Sequence, residues 1–314
     1  MQETSIAAGR ERRKKPLQFG VKKEASKGKA AWPVIEPYLY LMPAFLIFFF
    51  FVYFPFFKTI YMSFHLTNIV GKAVEFIGFE NYQELFSSPD FQNSLLVTLK
   101  FVVLTSVPAI LGGLALALMA QRKTKGTGAL RVMYAMPMAV STACAAVIWM
   151  LLYHPTIGSI NYLLGKQIAW LSDPDYALAA VAIVTAWMQI GFNFILLLAG
   201  LQGIPKEYYE SAAIDGAGYL QTLWKITLPS LSPTLFFVIV VNVIEAFQAF
   251  GQVNIMTAGG PANSTNVVVY TIYQQAFLNN RFGLASASSI ILFFIMLVVT
   301  IIQFRYEKKL VFYK

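Results

Sequence analysis

A single cysteine, two histidines and few charges set the first limits on this 314-residue chain. Cys144, alone in the apolar stretch "STACAAVIWM", cannot close a disulfide or build a cysteine metal site within one chain. His65 and His154 lie near the ends of apolar runs, a placement that suits neither a metal site nor a proton relay. Gly-Lys pairs occur at 28–29, 71–72 and 165–166, but none is followed by Ser or Thr, so the phosphate-cradling loop of an ATPase is absent. No catalytic residues and no metal ligands are therefore expected. Charged residues make up 12% of the chain, against about 25% in ordinary soluble domains. With 57% hydrophobic residues and a mean hydropathy of +0.60, this is the composition of an integral membrane protein.

A helix crossing a hydrocarbon core needs about 20 mostly apolar residues. Six stretches meet this: 37–62, 94–120, 130–152, 177–200, 229–250 and 283–304. The expected fold is thus all-α, with six transmembrane helices. It divides into a basic N-terminal tail (1–36), a six-span domain (37–304, including the loop 201–228) and a C-terminal tail (305–314). The net charge of +9 does not point to nucleic acid, because it follows topology. Nine Lys and Arg lie in the first 29 residues, four in 121–131, two in 201–228 and four in the C-terminal tail, all on one side of the six spans. The opposite side carries Lys72, Lys166 and Arg281, with Lys58 and Lys100 near the span ends there. By the positive-inside rule both termini face the cytoplasm.

The tail "GRERRKKPLQFGVKKEASKGKA" is followed by an apolar run too long for a signal-peptide core and without a convincing cleavage site, so it reads as a retained basic segment beside anionic lipid. Pro37, Pro43 and Pro55 are expected to kink the first span. On the outer side, residues 63–93 mix aromatics and acids in "VEFIGFENYQELFSSPDF", as in a short interfacial helix or a structured loop. The glycines and proline of "MTAGGPANST" force a turn within 251–282.

About 28 residues separate the fourth and fifth spans, where two to eight are usual between packed helices. Within them stands "EYYESAAIDGAG". Pro205 suits a first helical turn, Glu207 and Glu210 place negative charge toward a helix N-terminus, and the alanines promote helix. A short helix is expected over about 206–215. Gly216 and Gly218 then permit a close-packed reversal, and "YLQTLWKI" returns the chain to "LPSLSP" at the membrane. Taken by itself, this hairpin could be a docking knob or an interfacial helix with no partner.

The pattern Glu210, Ala212, Ala213, Asp215, Gly216, Ala217, Gly218, then Ile226, Leu228 and Pro229, resembles the EAA signature of the membrane subunits of bacterial binding-protein-dependent ABC importers. "FIGFENYQELF", "GLQGIPKEYYESAAIDGAG", "GGPANSTNVVVYTIYQQAF" and "QFRYEKKLVFYK" extend the likeness over nearly the whole chain from about residue 37, most closely to the carbohydrate-uptake group that includes the maltose and glycerol-3-phosphate permeases. Ser211 departs from the pattern, standing where the name-giving first alanine would be.

The resemblance implies a type I ABC importer-like permease in the bacterial inner membrane. It would be paired with a second homologous permease, an ABC ATPase dimer and an extracytoplasmic solute-binding protein. ATP and magnesium would then belong to the partner ATPase and not to this chain. Residues 206–218 would be a cytoplasmic coupling helix and turn. Glu210 would make a charged contact with the ATPase, Asp215 and Gly216 would fix the turn, and Ala212 and Ala213 would sit at the packed contact.

Polar side chains inside spans are costly, so their positions are informative. Gln189 and Asn193 are four residues apart on one helix face, with Phe192 beside them. Asn242, Glu245 and Gln248 follow a three-residue spacing in the fifth span. Both clusters reach comparable depth and could line one cavity. Amides, one acid and aromatics suit a hydroxyl-rich ligand. The resemblance adds that positions touching sugar in the maltose permease align with Gln189, Phe192, Asn242, Ala246 and Ala249, with different residue types. The alternatives are that these amides only join helices, or that Glu245 pairs with a cation elsewhere. No Lys or Arg lies deep in a span to offset a phosphate, which favours a neutral sugar over glycerol-3-phosphate or a related polyol phosphate. An intramembrane enzyme would need a buried acid–base pair or nucleophile, for which Glu245 alone is inadequate. An ion-coupled carrier would call for more intramembrane charge or repeated halves.

Overall fold

The computed structural model describes residues 32–121 and 126–312. The basic tail up to residue 31, and Arg122, Lys123 and Lys125, lie outside the described residues. The chain divides into two compact units, with the division between Tyr53 and Phe54.

In the first unit, α1 (Trp32–Phe48) carries Pro37 and Pro43 inside it and passes into a π-helical segment, Phe49–Tyr53. The side chains from Pro37 to Tyr53 are all exposed in the isolated chain. Helix therefore begins five residues before the boundary expected at 37.

The second unit opens with α2 (Phe54–Ser63), followed by a two-stranded antiparallel hairpin, β1 (His65–Thr67) and β2 (Ala73–Phe76), which the reading as all-helix omitted. α3 (Glu80–Ser87) is the short helix expected in 63–93. It is held by the buried Asn81 amide, which donates to the Ser63 carbonyl at 2.9 Å. Then come α4 (Pro89–Ala120), α5 (Thr127–Ala135), α6 (Thr142–Leu152), α7 (Ser159–Leu164), α8 (Pro174–Gln202), α9 (Lys206–Ile214), α10 (Tyr219–Thr222), α11 (Leu228–Phe247), α12 (Gly251–Met256), α13 (Val268–Tyr273) and α14 (Phe282–Leu310).

Five helical runs among the described residues are long and apolar enough to cross a membrane: Pro37–Ser63, Pro89–Ala120, Pro174–Gln202, Tyr219–Phe247 and Phe282–Lys309. The remaining expected span, 130–152, third in the chain, is not one straight helix. Thr127–Ala139 and Thr142–Leu152 meet at 102°. Pro137 sits in the first turn of a 3-10 segment, Met136–Ala139, that ends α5's run, and Ser141 starts a new helix by accepting from the Cys144 amide at 3.3 Å. A proline and a capping serine four residues apart thus break a stretch whose composition is uniformly apolar. The last helix also runs through most of the expected C-terminal tail, to Leu310.

The core is centred on α4 and α8. Ala109, Gly113 and Ala117 recur every fourth residue on α4 and are all buried. A stripe of small residues lets two helices approach closely, which is how association is achieved where lipid removes the hydrophobic drive. At Gly113 the approach is closest, since a Cβ there would lie 2.5 Å from the Asn193 Cβ and 3.1 Å from the Phe194 amide nitrogen. Gly191, on another face of α8, meets the Ala135 carbonyl in the same way, at 3.0 Å from a built Cβ. At the end of the bundle where α4 and α14 begin, Arg281 donates bidentately to Glu84 at 2.5 Å, and that bond raises the guanidinium pKa further. Both side chains are about half exposed, so the pair contributes less than about 1 kcal/mol.

Candidate functional site

Two irregularities face each other in the bundle. The break between Ala139 and Thr142 lies across from a second break at Gln248–Phe250, where the fifth span stops and α12 begins. Gly251 allows the contact, because a Cβ there would meet Thr142 Cγ2 at 2.8 Å. Irregular backbone at membrane depth is tolerated where it borders a cavity or is buried in protein. A cavity of about 460 Å³ sits here, with Met138, Thr142, Gln252 and Phe250 supplied by the two breaks. This is within the range of small-ligand pockets.

Of the eight residues expected along a substrate pathway, Gln189, Phe192, Asn242, Glu245, Gln248 and Ala249 line this cavity. Asn193 and Ala246 do not. Ala246 turns into the apolar cluster with Phe247 and Val268. Asn193 is fully buried and exchanges two hydrogen bonds with Asn242, one of 2.9 Å from its own Nδ2 and one of 2.6 Å from the Asn242 Nδ2. The Asn242 amide also donates to the Val238 carbonyl at 2.7 Å. The amide pair is therefore the joint between α8 and α11, and the structural alternative for these amides applies fully to Asn193 and largely to Asn242. Gln189 differs, because its Oε1 is buried without a hydrogen-bond partner among the described residues. Glu245 is exposed to the cavity and has no ion pair among the described residues. Sequence reasoning missed Thr185, Met188 and Val241 on the helices, and Met138, Thr142, Phe250, Gly251 and Gln252 at the breaks. Pro137 and Ser141 are the signal that locates Met138 and Thr142, and nothing comparable marks the second break.

The second candidate site is the hairpin at the opposite end of α11. α9 spans Lys206–Ile214, with Glu207 in its first turn. Its end is a Schellman closure. Asp215 is the C-cap, Gly216 is left-handed at φ +73°, its amide donates to the Ala213 carbonyl at 3.1 Å, and the Ala217 amide donates to the Ala212 carbonyl at 2.9 Å. Nothing lies within 4 Å of a Cβ built at Gly216, so only the backbone angle demands glycine there.

Gly218 does not make the close-packed turn expected of it. Its φ is −72° and its surroundings are open. Ala212 is buried and meets the outside only at the floor of a groove, whereas Glu210, Ser211, Ala213 and Asp215 are exposed. Ile214, 87% exposed, with Leu220 and Trp224 adds an apolar tip that the sequence pattern did not single out. A groove of about 690 Å³ lies behind it, bordered by Tyr208, Ser211, Asp215, Lys225, Pro229 and Phe312.

The return limb is not a separate helix beside the membrane. α10, a π-helical segment Leu223–Thr227 and α11 form one helical run of 29 residues, Tyr219–Phe247. Pro229 explains the π segment, because its ring collides with the carbonyl four residues earlier in a regular helix, and a wider turn relieves the clash. Leu228 and Pro229 are thus the passage from hairpin to span. Further along, Pro233 leaves the Pro229 carbonyl without its helical donor, and Ser232 Oγ donates to it at 2.7 Å. At 1.5 Å per residue the run is about 43 Å long, with the hairpin at one end and Asn242 and Glu245 of the cavity near the other.

Residues 109–311 match the family described as binding-protein-dependent transport system inner membrane component. The chain is 38% identical over 283 residues to the sn-glycerol-3-phosphate transport system permease protein UgpA of Agrobacterium fabrum, covering 89% of this chain and 97% of that protein. It is 34% identical over 282 residues to the protein of the same description from Pectobacterium atrosepticum, covering 88% and 96%. Its fold is similar to a chain of a bacterial ABC transporter involved in the import of the acidic polysaccharide alginate, with a TM-score of 0.79 at 24% identity over 88% of this chain and 98% of that one.

Proposed function

Because this chain belongs to the family of binding-protein-dependent transport system inner membrane components, we propose that it is the permease subunit of an ATP-driven importer for a carbohydrate. A second, similar permease completes the pathway, and a solute-binding protein delivers the ligand at the end where α4, α8 and α14 begin. ATP and magnesium act on separate ATPase subunits, which grip the α9 hairpin. Both termini, and that hairpin, face the cytoplasm. The single observation that carries this reading is the continuous helix Tyr219–Phe247, which joins the hairpin directly to the wall of the cavity. Force applied to Glu210, Asp215 and the exposed Ile214 tip passes through the turn at 215–218 into this helix and displaces Val241, Asn242 and Glu245. The bent third span and the break at Gln248–Phe250 are the joints that let the cavity change which side it opens to.

A second reading, import of sn-glycerol-3-phosphate by the same machinery, is favoured by the description of the relatives named above. The test is to co-express the chain with the products of its neighbouring genes, purify it and reconstitute it in liposomes. ATPase subunits are expected to co-purify, and uptake is expected to require ATP together with the binding protein. Transport by the chain alone would overturn the proposal.

A further inference from the structure

The charges lining the cavity bear on its ligand, on the premise that this cavity is the substrate pathway. Its lining contains no Lys, Arg or His. The amide of Asn242 is committed to Asn193 and to the Val238 carbonyl. Thr185 Oγ1 donates to the Val181 carbonyl at 3.0 Å, which spends its proton and leaves only lone pairs. Gln252 Nε2 is turned toward Met188 Sδ at 3.7 Å. Gln248 and Thr142 can both donate and accept, so the neutral groups of the lining set no preference, and the charged and orphaned groups decide. The Glu245 carboxylate has no cation, and Gln189 Oε1 is buried with no donor. An orphaned buried acceptor is satisfied by a ligand that brings hydrogen, and a carboxylate in a partly enclosed cleft focuses a negative potential there.

We propose that Glu245 is a specificity-determining residue that makes this wall accept an uncharged, hydroxyl-rich sugar and reject an anionic one. The sugar's hydroxyl groups donate to Glu245 and Gln189, and Met188, Phe192 and Phe250 cover its apolar faces. A phosphate monoester would bring further negative charge to a lining whose one charged residue is already an acid and which holds no Lys, Arg or His to offset it. The reading thus separates this chain's ligand from the sn-glycerol-3-phosphate of its relatives' description.

The single native cysteine makes a direct test available. In a Cys144→Ser background, Gln248→Cys places one thiol on the cavity wall. The assembled complex in membrane vesicles is treated with methanethiosulfonate reagents carrying either a trimethylammonium or a sulfonate group, each rate being divided by that for a free thiol in solution. The cationic reagent is expected to react about tenfold faster than the anionic one. The ratio should fall to near unity on adding Glu245→Gln and invert with Glu245→Lys. Equal corrected rates with Glu245 present, or a ratio unchanged by Glu245→Gln, would overturn the charge preference while leaving the pathway intact. Failure of both reagents to reach the thiol in an assembled, ATP-hydrolysing complex would overturn the pathway reading itself. Uptake of sn-glycerol-3-phosphate that is as efficient with Glu245 as with Gln at that position would also contradict the proposal.

Discussion

Glu210→Lys is expected to lower ATP-driven uptake at least tenfold while the protein still folds and inserts. Glu210 is exposed on α9 and has no ion pair among the described residues, so the fold asks nothing of its charge. An exposed helical glutamate replaced by lysine changes stability by a few tenths of a kcal/mol. A charged contact across a desolvated interface is another matter, because reversing one partner leaves two like charges facing each other. Truncating such a partner alone costs about 2–5 kcal/mol, and about 1.4 kcal/mol is a factor of ten in a rate or an affinity. Glu210→Gln should fall between the two. The measurement is uptake into vesicles alongside ATPase activity and recovery of ATPase subunits on purification. Wild-type uptake by the lysine variant would remove Glu210 from the docking surface.

Gly113→Leu is expected to abolish recovery of folded protein. A Cβ at Gly113 already lies 2.5 Å from Asn193 Cβ and 3.1 Å from the Phe194 backbone nitrogen, and neither neighbour is the far end of a flexible side chain. To relieve the clash, α4 must move off α8 at the main helix contact of the bundle, which also pulls Asn193 from its hydrogen bonds with Asn242. Overpacking costs about 1–3 kcal/mol in forgiving sites and more where backbone is the obstacle, and a severed buried amide pair adds about 1–3 kcal/mol. Gly128→Ala, where nothing lies within 4 Å, is the control and should be neutral. Monodisperse yield after detergent extraction reads both. A well-folded Gly113→Leu protein would show that the two helices are not in the close contact described.

Much of this architecture was legible in the residues, and the parts that were not share a cause. The α9 helix could be placed within a residue of its ends because its signals are local: Pro205, the acids of its first turns, the alanines and Gly216. The polar clusters on α8 and α11 could be assigned to one depth because side-chain spacing on a helix is fixed. Which amide faces a ligand and which joins two helices depends on crossing geometry, and nothing in "MQIGFNF" tells Gln189 from Asn193 in that respect. Gly113 is what draws Asn193 into the joint, and it lies 80 residues away in the chain. The bend at residues 139–142 was hidden by hydropathy, which averages over Pro137 and Ser141. The strand hairpin at 65–76 and the helix α13 are too short to carry a hydropathy or periodicity signal of their own.

The most direct test of the central claim, that the α9 hairpin is the element a separate ATPase grips, is a site-specific cross-link. A cysteine at Ser211, exposed on α9, is introduced in the Cys144→Ser background and treated with a short thiol-reactive photocross-linker in the intact complex. The expected product joins this chain to the ATP-binding subunit, in an amount that changes when ATP is added. A cross-link that forms only within this chain or to lipid, with ATPase subunits present and active, would contradict it.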